Sequence, residues 1–539
     1  MQRAIRFIRS WGSQRLSTAQ KLWLSKVKHR EHSWQSYRRS QKQHGARVQR
    51  GYDALQQSRE NLKATRVILS SNGVEFVKLP QISSYQPILV VSDRDVATVL
   101  DTLEDLPVEQ GWEVKIIARS SQALAPKRAK ARPEEVRRIY VQRRIYGPGG
   151  MTLSTPRERI VIEPWEVLPP GSERVDGETH VPGTLHRKIL KRSTAIEYLT
   201  PANWRRAVDE NDSEISWPHP HILDVTGPID MVYTWVDGDD PDWRRRKSFE
   251  EGILHEDDFN ETAASFSRYA SRDELKYSLR SVEYYANWIN HIYIVTDQQV
   301  PHWLNVEHPK ISVIDHREIF DDPDVLPVFN SHAIESQLHH IDGLSEKYIY
   351  LNDDFFFMRP VEPRLFYTGN NLSRFFASTA PLDIDPPSAR DLPVLSAAKR
   401  NRQYMADEHG RTITNKFKHT PQPQLKSVLE AMERNHPEMF ARISASKFRH
   451  PDDYSIPSAL YHFEAYARGR AINSRIRYAY MDIARPDVEL HLQRLARRRN
   501  LDVLCLNDTN TDEANAERLD YLLRSFLEAR FPVQSTFER

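Results

Sequence analysis

The chain of 539 residues contains a single cysteine, Cys505, which excludes an intrachain disulfide and a zinc site built from cysteines. A reducing cytosol fits this scarcity, and a cysteine-poor exported protein would look the same. The sequence has no run of about 18 apolar residues, the length that a transmembrane helix needs. Its N-terminus also lacks the apolar core of a secretory signal. Glycine is scarce, and residues 55–225 contain no glycine-rich nucleotide-binding motif.

Charge is balanced over the whole chain but unevenly distributed along it. The formal net charge is only +2, which argues against a nucleic-acid partner. Residues 1–50 hold thirteen Lys or Arg and one acid, Glu31, and their apolar residues are spaced for one helical face. We therefore predict a basic helical segment. It would either dock on an anionic membrane surface or form a solvated, partly disordered tail.

The rest of the chain divides near residue 225. Residues 55–225 are predicted to form a smaller N-terminal α/β domain, and residues 226–539 a larger one. Within the first, residues 66–79 predict a hairpin of two strands around an Asn-Gly turn. Residues 87–106 predict a strand, a turn and a helix.

Apolar strands alternate with helices between residues 226 and 360. Four strands are predicted within 229–236, 291–297, 310–316 and 347–354. A helix is predicted from residue 271 on the 3.6-residue period, with Ser271 and Glu274 in a capping-box pattern at its start. This alternation predicts an α/β fold with a mostly parallel sheet and helices on both faces.

Carboxylates follow four predicted strands: Asp237, Asp297, Asp315 and the pair Asp353–Asp354. Because the C-terminal ends of parallel strands share one edge, where ligands bind, we expect these side chains along one rim. Mg²⁺ is held by one or two carboxylates together with substrate phosphates. Asp353 and Asp354 are therefore the candidate metal ligands. The alternative interpretation is that Asp and Asn end strands because they suit turns.

Basic side chains gather in two downstream loops. Lys416 and His419 precede one predicted helix, and Arg449 precedes another. Arg presents a planar fork to phosphate oxygens, and His carries a proton near neutral pH. Basic loops that face an acidic metal rim suit phosphoryl transfer. Taken singly, each histidine also fits a surface or capping role.

Four stretches of the sequence resemble, in order, the four conserved regions of the Stealth family of sugar-phosphate transferases. They are IDMVYTWVDGDDPDW (229–243); SRYASRDELKYSLRSVEYYANWINHIYIVTDQQVPHWLN with FNSHAIESQLHHIDGLSEKYIYLNDDFFF (267–305 and 329–357); KFKHTPQPQL through SKFRHPDD (416–453); and CLNDT (505–509). The resemblance covers a little over half of the chain and leaves residues 1–225 unmatched. The family includes bacterial capsule polymerases, exopolysaccharide phosphotransferases and the animal enzyme that tags lysosomal glycoproteins.

The resemblance implies a Rossmann-like or GT-A-like catalytic domain in residues 226–539. It implies transfer of a hexose-1-phosphate from a UDP-sugar to an acceptor sugar hydroxyl, with release of UMP and with Mg²⁺ or Mn²⁺. The acceptor would be a polysaccharide or oligosaccharide, in exopolysaccharide or capsule synthesis. The implied location is cytoplasmic, with residues 1–50 as the candidate for peripheral contact with the inner face of the cell membrane.

The resemblance also assigns residues at the matched positions. Asp230, His419 and Arg449 are expected to be catalytic. The expected substrate-binding residues are Tyr233, Trp235, Arg268, Asn330, Lys416 and Asn507. Tyr233 and Trp235 alternate along the first strand, so they fit either a place beside the uracil or a place in the core.

Two other functions fit the same sequence. An ordinary glycosyltransferase would attack the anomeric carbon of the sugar and release UDP instead of UMP. A non-catalytic scaffold would bind polysaccharide or membrane through the basic N-terminal segment.

Overall fold

The structure is a computed structural model, and it describes Ser17, Ala46–Arg47, Tyr269, Thr511 and the ranges 51–118, 122–148, 150–187, 195–253, 271–388, 390–509 and 513–539. Most of the basic segment 1–50, and the expected substrate residue Arg268, therefore lie outside the described residues. The helix expected in that segment stays a prediction.

A mixed sheet organises the N-terminal part of the chain. The strands of this part are β1 (Ala46–Arg47), β2 (Val77–Lys78), β3 (Ile88–Ser92), β4 (Trp112–Ala118), β5 (Ala123–Leu124), β6 (Val136–Arg143), β7 (Ile145–Tyr146), β8 (Ile160–Val167), β9 (Leu185–His186) and β10 (Tyr198–Leu199). Its helices are α1 (Ala54–Ser71), α2 (Val96–Glu104), α3 (Pro126–Ala131) and α4 (Pro201–Glu210). The sheet runs in the order β10-β9-β8-β6-β4-β5, and β3 joins it parallel to β8 and antiparallel to β2.

The hairpin predicted around the Asn-Gly turn is wrong, because the residues before the turn belong to helix α1. Asp53 caps this helix by accepting hydrogen bonds from Leu55 N (2.7 Å) and Gln56 N (3.3 Å). The buried positions recur at helical spacing: Ala54, Gln57, Ser58, Asn61, Thr65 and Leu69. The strand and helix predicted in residues 87–106 are confirmed as β3 and α2.

The C-terminal part contains twelve further strands and nine further helices within its described residues. The strands are β11 (Ile229–Thr234), β12 (Ile292–Thr296), β13 (Ile311–Asp315), β14 (Lys347–Asn352), β15 (Phe355–Phe357), β16 (Ser373–Phe375), β17 (Ala377–Pro381), β18 (Asn415–Phe417), β19 (Gln422–Leu425), β20 (Ala471–Asn473), β21 (Tyr478–Asp482) and β22 (Val503–Asn507). The helices are α5 (Pro241–Ile253), α6 (Glu274–Tyr285), α7 (Ser331–Ser336), α8 (Pro393–His409), α9 (Lys426–Asn435), α10 (Pro437–Ser444), α11 (Tyr461–Ala467), α12 (Val488–Leu495) and α13 (Glu513–Arg530).

Five of these strands form the central sheet, in the spatial order β13-β12-β11-β14-β19. The first four are parallel, and β19 is antiparallel to β14. All residues of β12 are buried, as are all but the last residues of β11 and β14. Both faces of the sheet are therefore covered, as in other parallel sheets. The predicted α/β class with a mostly parallel sheet is confirmed.

A small three-stranded sheet lies beside the end of β14. Strand β15 pairs antiparallel with β22, which places Phe355 opposite Cys505, and β22 is parallel to β21. Helix α6 packs below this point, where the Ser278 hydroxyl donates to Phe355 O at 2.5 Å. These contacts hold the Asn352–Asp354 connection next to the CLNDT segment.

The two parts of the chain share one large core. Tyr52, Tyr85, Ile145 and Leu153 pack into the same cluster of buried residues as the central sheet. Two smaller clusters lie entirely within the N-terminal part. The domain boundaries predicted near residues 50 and 225 stay predictions. Among the residues described, no helix combines the length and the apolar character needed to cross a membrane.

Candidate active site

A cleft of about 1100 Å³ opens where the parallel strands of the central sheet end. The residues after β11, β12 and β14 contribute Trp235, Asp297 and Asn352–Asp354 to its lining. Loops from the later part of the chain add Lys416–His419 and Arg449. The fold thus brings Asp297, Asp353 and Asp354 of the predicted acidic rim and the predicted basic loops into one cleft, at the edge where α/β sheets bind ligands. Asp237 and Asp315 of that rim do not line the cleft.

Three carboxyl groups lie together in this cleft: Glu274, Asp353 and Asp354. Burial raises the pKa of Asp353 well above its usual value, and the charges of Glu274 and Asp354 raise it further. Burial raises the pKa of Glu274 to about 7, although Arg272 opposes the effect. Because crowded, buried carboxylates repel one another, the cluster favours a bound proton or a bound cation.

The donor atoms around Asp354 fit a divalent metal. Asp354 Oδ1 and His419 Nε2 are buried and have no hydrogen-bond partner among the described residues. Asp354 Oδ2 accepts a hydrogen bond from Cys505 Sγ (3.2 Å) and lies 3.9 Å from His419 Nε2. Donor atoms of all three residues lie within 4.8 Å of one another. Asp353 and Asp354 supply the carboxylate oxygens that Mg²⁺ and Mn²⁺ prefer.

Arg449 supplies positive charge to the cleft, and no described residue neutralises it. Its guanidinium donates to Ser331 Oγ (2.7 Å) and forms no ion pair with a carboxylate of the residues described. Arg272, by contrast, pairs with Asp508 (2.9 Å) and Asp520 (2.5 Å), so its charge is already balanced. The fork of Arg449 is therefore available to a phosphate group.

Asp230 does not reach the cleft. It lies near the start of β11, at the opposite end from the cleft, and is fully buried. Its two carboxylate oxygens accept hydrogen bonds from Asn290 Nδ2 (2.7 Å) and Ser345 N (2.8 Å). The expected catalytic role of Asp230 is therefore corrected to a structural one. Its two oxygens hold the loops that lead into β12 and β14, at the end of the sheet opposite the cleft.

The expected substrate residues divide into two groups. Those that line the cleft are Trp235, Lys416 and Asn507. Tyr233 is fully buried, with its hydroxyl 2.8 Å from Ser278 Oγ, so its ring belongs to the core and not beside a uracil. Asn330 is also fully buried and donates to Asp453 Oδ2 (2.8 Å), which corrects it from a substrate contact to a support of the loop that carries Arg449.

Glu274 and Cys505 belong to the site although they were not predicted to. The capping-box pattern of Ser271 and Glu274 is not realised, since α6 begins at Glu274 directly after Asp273, whose φ is 65°. Glu274 Oε2 instead accepts a hydrogen bond from Arg272 N at 2.5 Å. The available sequence signal for Glu274 was an acidic residue at the start of a predicted helix with an apolar face. Cys505 carries no local signal, because only strand pairing brings it to Asp354.

Comparison with known families matches four segments of the chain to the conserved regions of Stealth proteins. Region CR1 matches residues 227–254, CR2 matches 268–375, CR3 matches 418–466 and CR4 matches 493–539. The carboxyl cluster falls in CR2, and His419 and Arg449 fall in CR3.

Curated relatives carry the name exopolysaccharide phosphotransferase. SCO6023 of Streptomyces coelicolor is 50% identical over 316 residues, which are 59% of this chain and 53% of that protein. CpsY of Mycobacterium tuberculosis is 36% identical over 410 residues, which are 74% of this chain and 73% of that protein. The chain spans about half the length of SCO6023 and of its paralogue SCO2594.

Among solved structures, the galactosyltransferase LgtC is similar over 55% of this chain and 95% of that chain, at 10% identity and a TM-score of 0.28. A score this low supports no inference about function. The four regions in their order, together with the extent of the match to CpsY, lead to one conclusion: the chain belongs to the Stealth family.

Proposed function

We propose that the chain transfers a hexose-1-phosphate from a UDP-sugar to a hydroxyl group of a polysaccharide or oligosaccharide acceptor, in exopolysaccharide synthesis, and releases UMP. The observation that carries this proposal is that one cleft combines the carboxyl cluster of Glu274, Asp353 and Asp354 with the guanidinium of Arg449, which forms no ion pair among the described residues. A diphosphate requires both a cation held by carboxylates and donors for its oxygens. The names of the relatives support a phosphotransferase acting in exopolysaccharide synthesis.

The reaction forms one P–O bond and breaks another. The acceptor oxygen attacks the phosphorus atom that carries the sugar, and UMP leaves with the oxygen that bridged the two phosphorus atoms. The proton of the acceptor hydroxyl passes to a base. Arg449 donates hydrogen bonds to the oxygens of the attacked phosphorus, where charge must be neutralised in the transition state.

His419 is the base in this proposal, which leaves Asp353 and Asp354, without His419, as the metal ligands. Its Nε2 atom is buried without a hydrogen-bond partner among the described residues, 3.9 Å from the Asp354 carboxylate. That carboxylate would stabilise the imidazolium that forms when His419 accepts the proton. Asp353 and Asp354 would hold Mg²⁺ or Mn²⁺, which supplies positive charge to the diphosphate when bound. The half-buried ring of Trp235 is the candidate contact for the uracil.

The identity of the released nucleotide tests the proposal. The purified chain is incubated with a panel of UDP-hexoses, Mn²⁺ or Mg²⁺, and a cell-wall polysaccharide extract, and UMP is separated from UDP by chromatography. We expect UMP, and only when the acceptor is present. Release of UDP would instead mean that the anomeric carbon is attacked, as in a glycosyltransferase. Release of neither nucleotide would favour a binding scaffold.

A variant pair sharpens this test. His419→Ala should lower turnover at least ~100-fold, the lower range for loss of a general base, while UDP-sugar binding remains. His302→Ala is the matched control, because His302 is exposed and does not line the cleft. Equal turnover of both variants would contradict the role of His419.

A further inference from the structure

A second group of metal-binding side chains lies outside the cleft. His339 and His340 belong to the short 3₁₀ turn Leu338–His340 that follows α7, and Glu433 lies in the last turn of α9. Donor atoms of the three residues lie within 4.8 Å of one another. None of the three lines the cleft, so the proposed transfer reaction does not account for them.

Both imidazole rings point at one carboxylate oxygen. His339 Nε2 lies 2.7 Å and His340 Nε2 lies 2.8 Å from Glu433 Oε2, and the two ring centroids are 4.2 Å apart. Two nitrogens and one carboxylate oxygen that converge in this way form the three-residue donor set of a His₂Glu metal site.

The nitrogen of His340 that faces away from Glu433 makes a backbone hydrogen bond, as the outer nitrogen of a metal-binding imidazole commonly does. His340 Nδ1 lies 2.9 Å from the carbonyl oxygen of Ile319, so Nδ1 carries a hydrogen and donates it. This hydrogen bond directs the other ring nitrogen, Nε2, toward the centre of the group. Metal-binding histidines are commonly oriented in this way by a hydrogen bond from the nitrogen that does not bind the metal. The His339 side chain is fully buried, so the position of its ring is fixed by the surrounding core.

Two acidic residues lie near the group besides Glu433. The Asp321 carboxylate lies 3.9 Å from His340 Nδ1, and Glu430 acts on His339 as a further nearby acid. No Lys or Arg among the described residues forms an ion pair with Glu433. A divalent cation bound here would replace the hydrogen that each imidazole shares with Glu433 Oε2.

The group also has room to accept an ion. The His340 and Glu433 side chains are 20% and 24% exposed, which leaves a path from solvent and space for a water ligand. Tetrahedral zinc with bonds of about 2.0–2.1 Å sets its donors roughly 3.3 Å apart, so each nitrogen must retreat from the oxygen by about half an ångström. Two partly exposed side chains can make that adjustment.

We propose that His339, His340 and Glu433 bind one Zn²⁺ ion, with water as the fourth ligand. The mixed nitrogen and oxygen donors favour zinc over Mg²⁺, which prefers oxygen ligands alone. The bound ion ties the end of α9 to the turn that leads into β14, the strand that ends at Asp353 and Asp354. The site is separate from the cleft.

Zinc content of the full chain tests the proposal. The protein is stripped with a chelator, dialysed against Zn²⁺ and analysed for bound metal, in a His419→Ala background so that the group of Asp354 and Cys505 in the cleft loses its imidazole. We expect one zinc per chain. His340→Gln and Glu433→Gln should each weaken zinc binding by more than about 10-fold, because each removes a direct ligand. The matched controls His302→Gln and Glu109→Gln change exposed residues and should bind zinc as the parent does.

Cobalt distinguishes this site from the cleft. Co²⁺ bound to two imidazoles and a carboxylate should show visible d–d bands without a sulfur-to-cobalt charge-transfer band, whereas Co²⁺ beside Cys505 would show one. Circular dichroism checks that each variant is folded. The zinc content of the His419→Ala chain, which is the parent of these variants, tests the proposal even if a variant fails to fold. Absence of stoichiometric zinc in the folded parent, or zinc binding unchanged in both His340→Gln and Glu433→Gln, would overturn the proposal. Neither result depends on whether UMP is released.

Discussion

The sulfur atom of Cys505 lies 3.2 Å from Asp354 Oδ2, because β15 and β22 pair with Phe355 directly opposite Cys505. This contact joins two motifs that are 151 residues apart in the sequence. Burial raises the pKa of the Cys505 thiol well above its usual value, and the Asp354 charge raises it further. The only thiol of the chain is therefore kept protonated beside a candidate metal ligand.

Alkylating reagents should modify Cys505 slowly in the native protein, because the thiolate is the reactive form and a pKa raised by one unit lowers its fraction about tenfold. Mass spectrometry after iodoacetamide treatment at pH 8 would measure the rate. The same chain in guanidinium chloride is the control and should react fully. Equal rates in the two conditions would contradict the buried, protonated thiol.

The metal-free protein should lose stability as the pH rises from about 5 to 8. In this range native Glu274, with a pKa of about 7, keeps a proton that the unfolded chain has already released. The native state then binds more protons, so the free energy of unfolding falls as the pH rises. Glu274 accounts for about 3 kcal/mol of this loss, and the raised pKa of Asp353 acts in the same direction. Thermal melts in a chelating buffer would measure the loss, and Mn²⁺ should reverse it.

Glu274→Gln should reduce this pH dependence, since glutamine does not titrate whereas Asp353 still does. Glu109→Gln, at an exposed position, should leave it unchanged. If the metal-free protein becomes more stable between pH 5 and 8, the buried carboxyl cluster does not behave as described.

Asp230→Asn should destabilise the protein without a specific loss of catalysis. Asparagine places an amide donor against either Ser345 N or Asn290 Nδ2, so one buried hydrogen bond is lost, at a cost of about 1–3 kcal/mol. Urea unfolding would measure the change, with exposed Asp239→Asn as the control. A loss of turnover by more than ~100-fold with unchanged stability would restore Asp230 to the catalytic residues.

Arg449→Lys should lower kcat by about 10²-fold while the KM for the UDP-sugar changes little, because a point charge replaces a two-donor fork on the attacked phosphate. Arg411→Lys is the matched control at an exposed position away from the cleft. Steady-state kinetics of UMP release would separate the two parameters. If Arg449→Lys is as active as the control, the proposed contact with the phosphate is excluded.

Removal of residues 1–45 should leave turnover in solution intact and abolish binding to anionic lipid vesicles. Most of the thirteen basic residues of the N-terminal segment are lost, at roughly 1 kcal/mol of membrane attraction each. The cut spares Ala46–Arg47, which pair with Ile145–Tyr146. Co-sedimentation with anionic and neutral vesicles would measure binding. Undiminished binding of the truncated chain would leave the segment as a solvated tail.

Much of the fold could be predicted because its signals are local. The continuous apolar runs of β11, β12 and β14 predict buried parallel strands, and the structure confirms them. The hairpin prediction failed at residues 66–71 because the local signal there is misleading and a longer stretch of sequence decides the structure. Val67 and Ile68 favour a strand, but the spacing of buried residues over the whole of α1, from Ala54 to Leu69, decides for a helix.

The sequence by itself determined the α/β class, the carboxylates after the strands and the basic loops, because each depends on residues that are neighbours in the chain. Only the tertiary structure decided which of them share the cleft. Asp230 and Trp235 belong to one strand and its exit, yet only Trp235 reaches the cleft, because they lie at opposite ends. Cys505 reaches Asp354 only through the register of β15 and β22, which long-range hydrogen bonds set and no local pattern encodes.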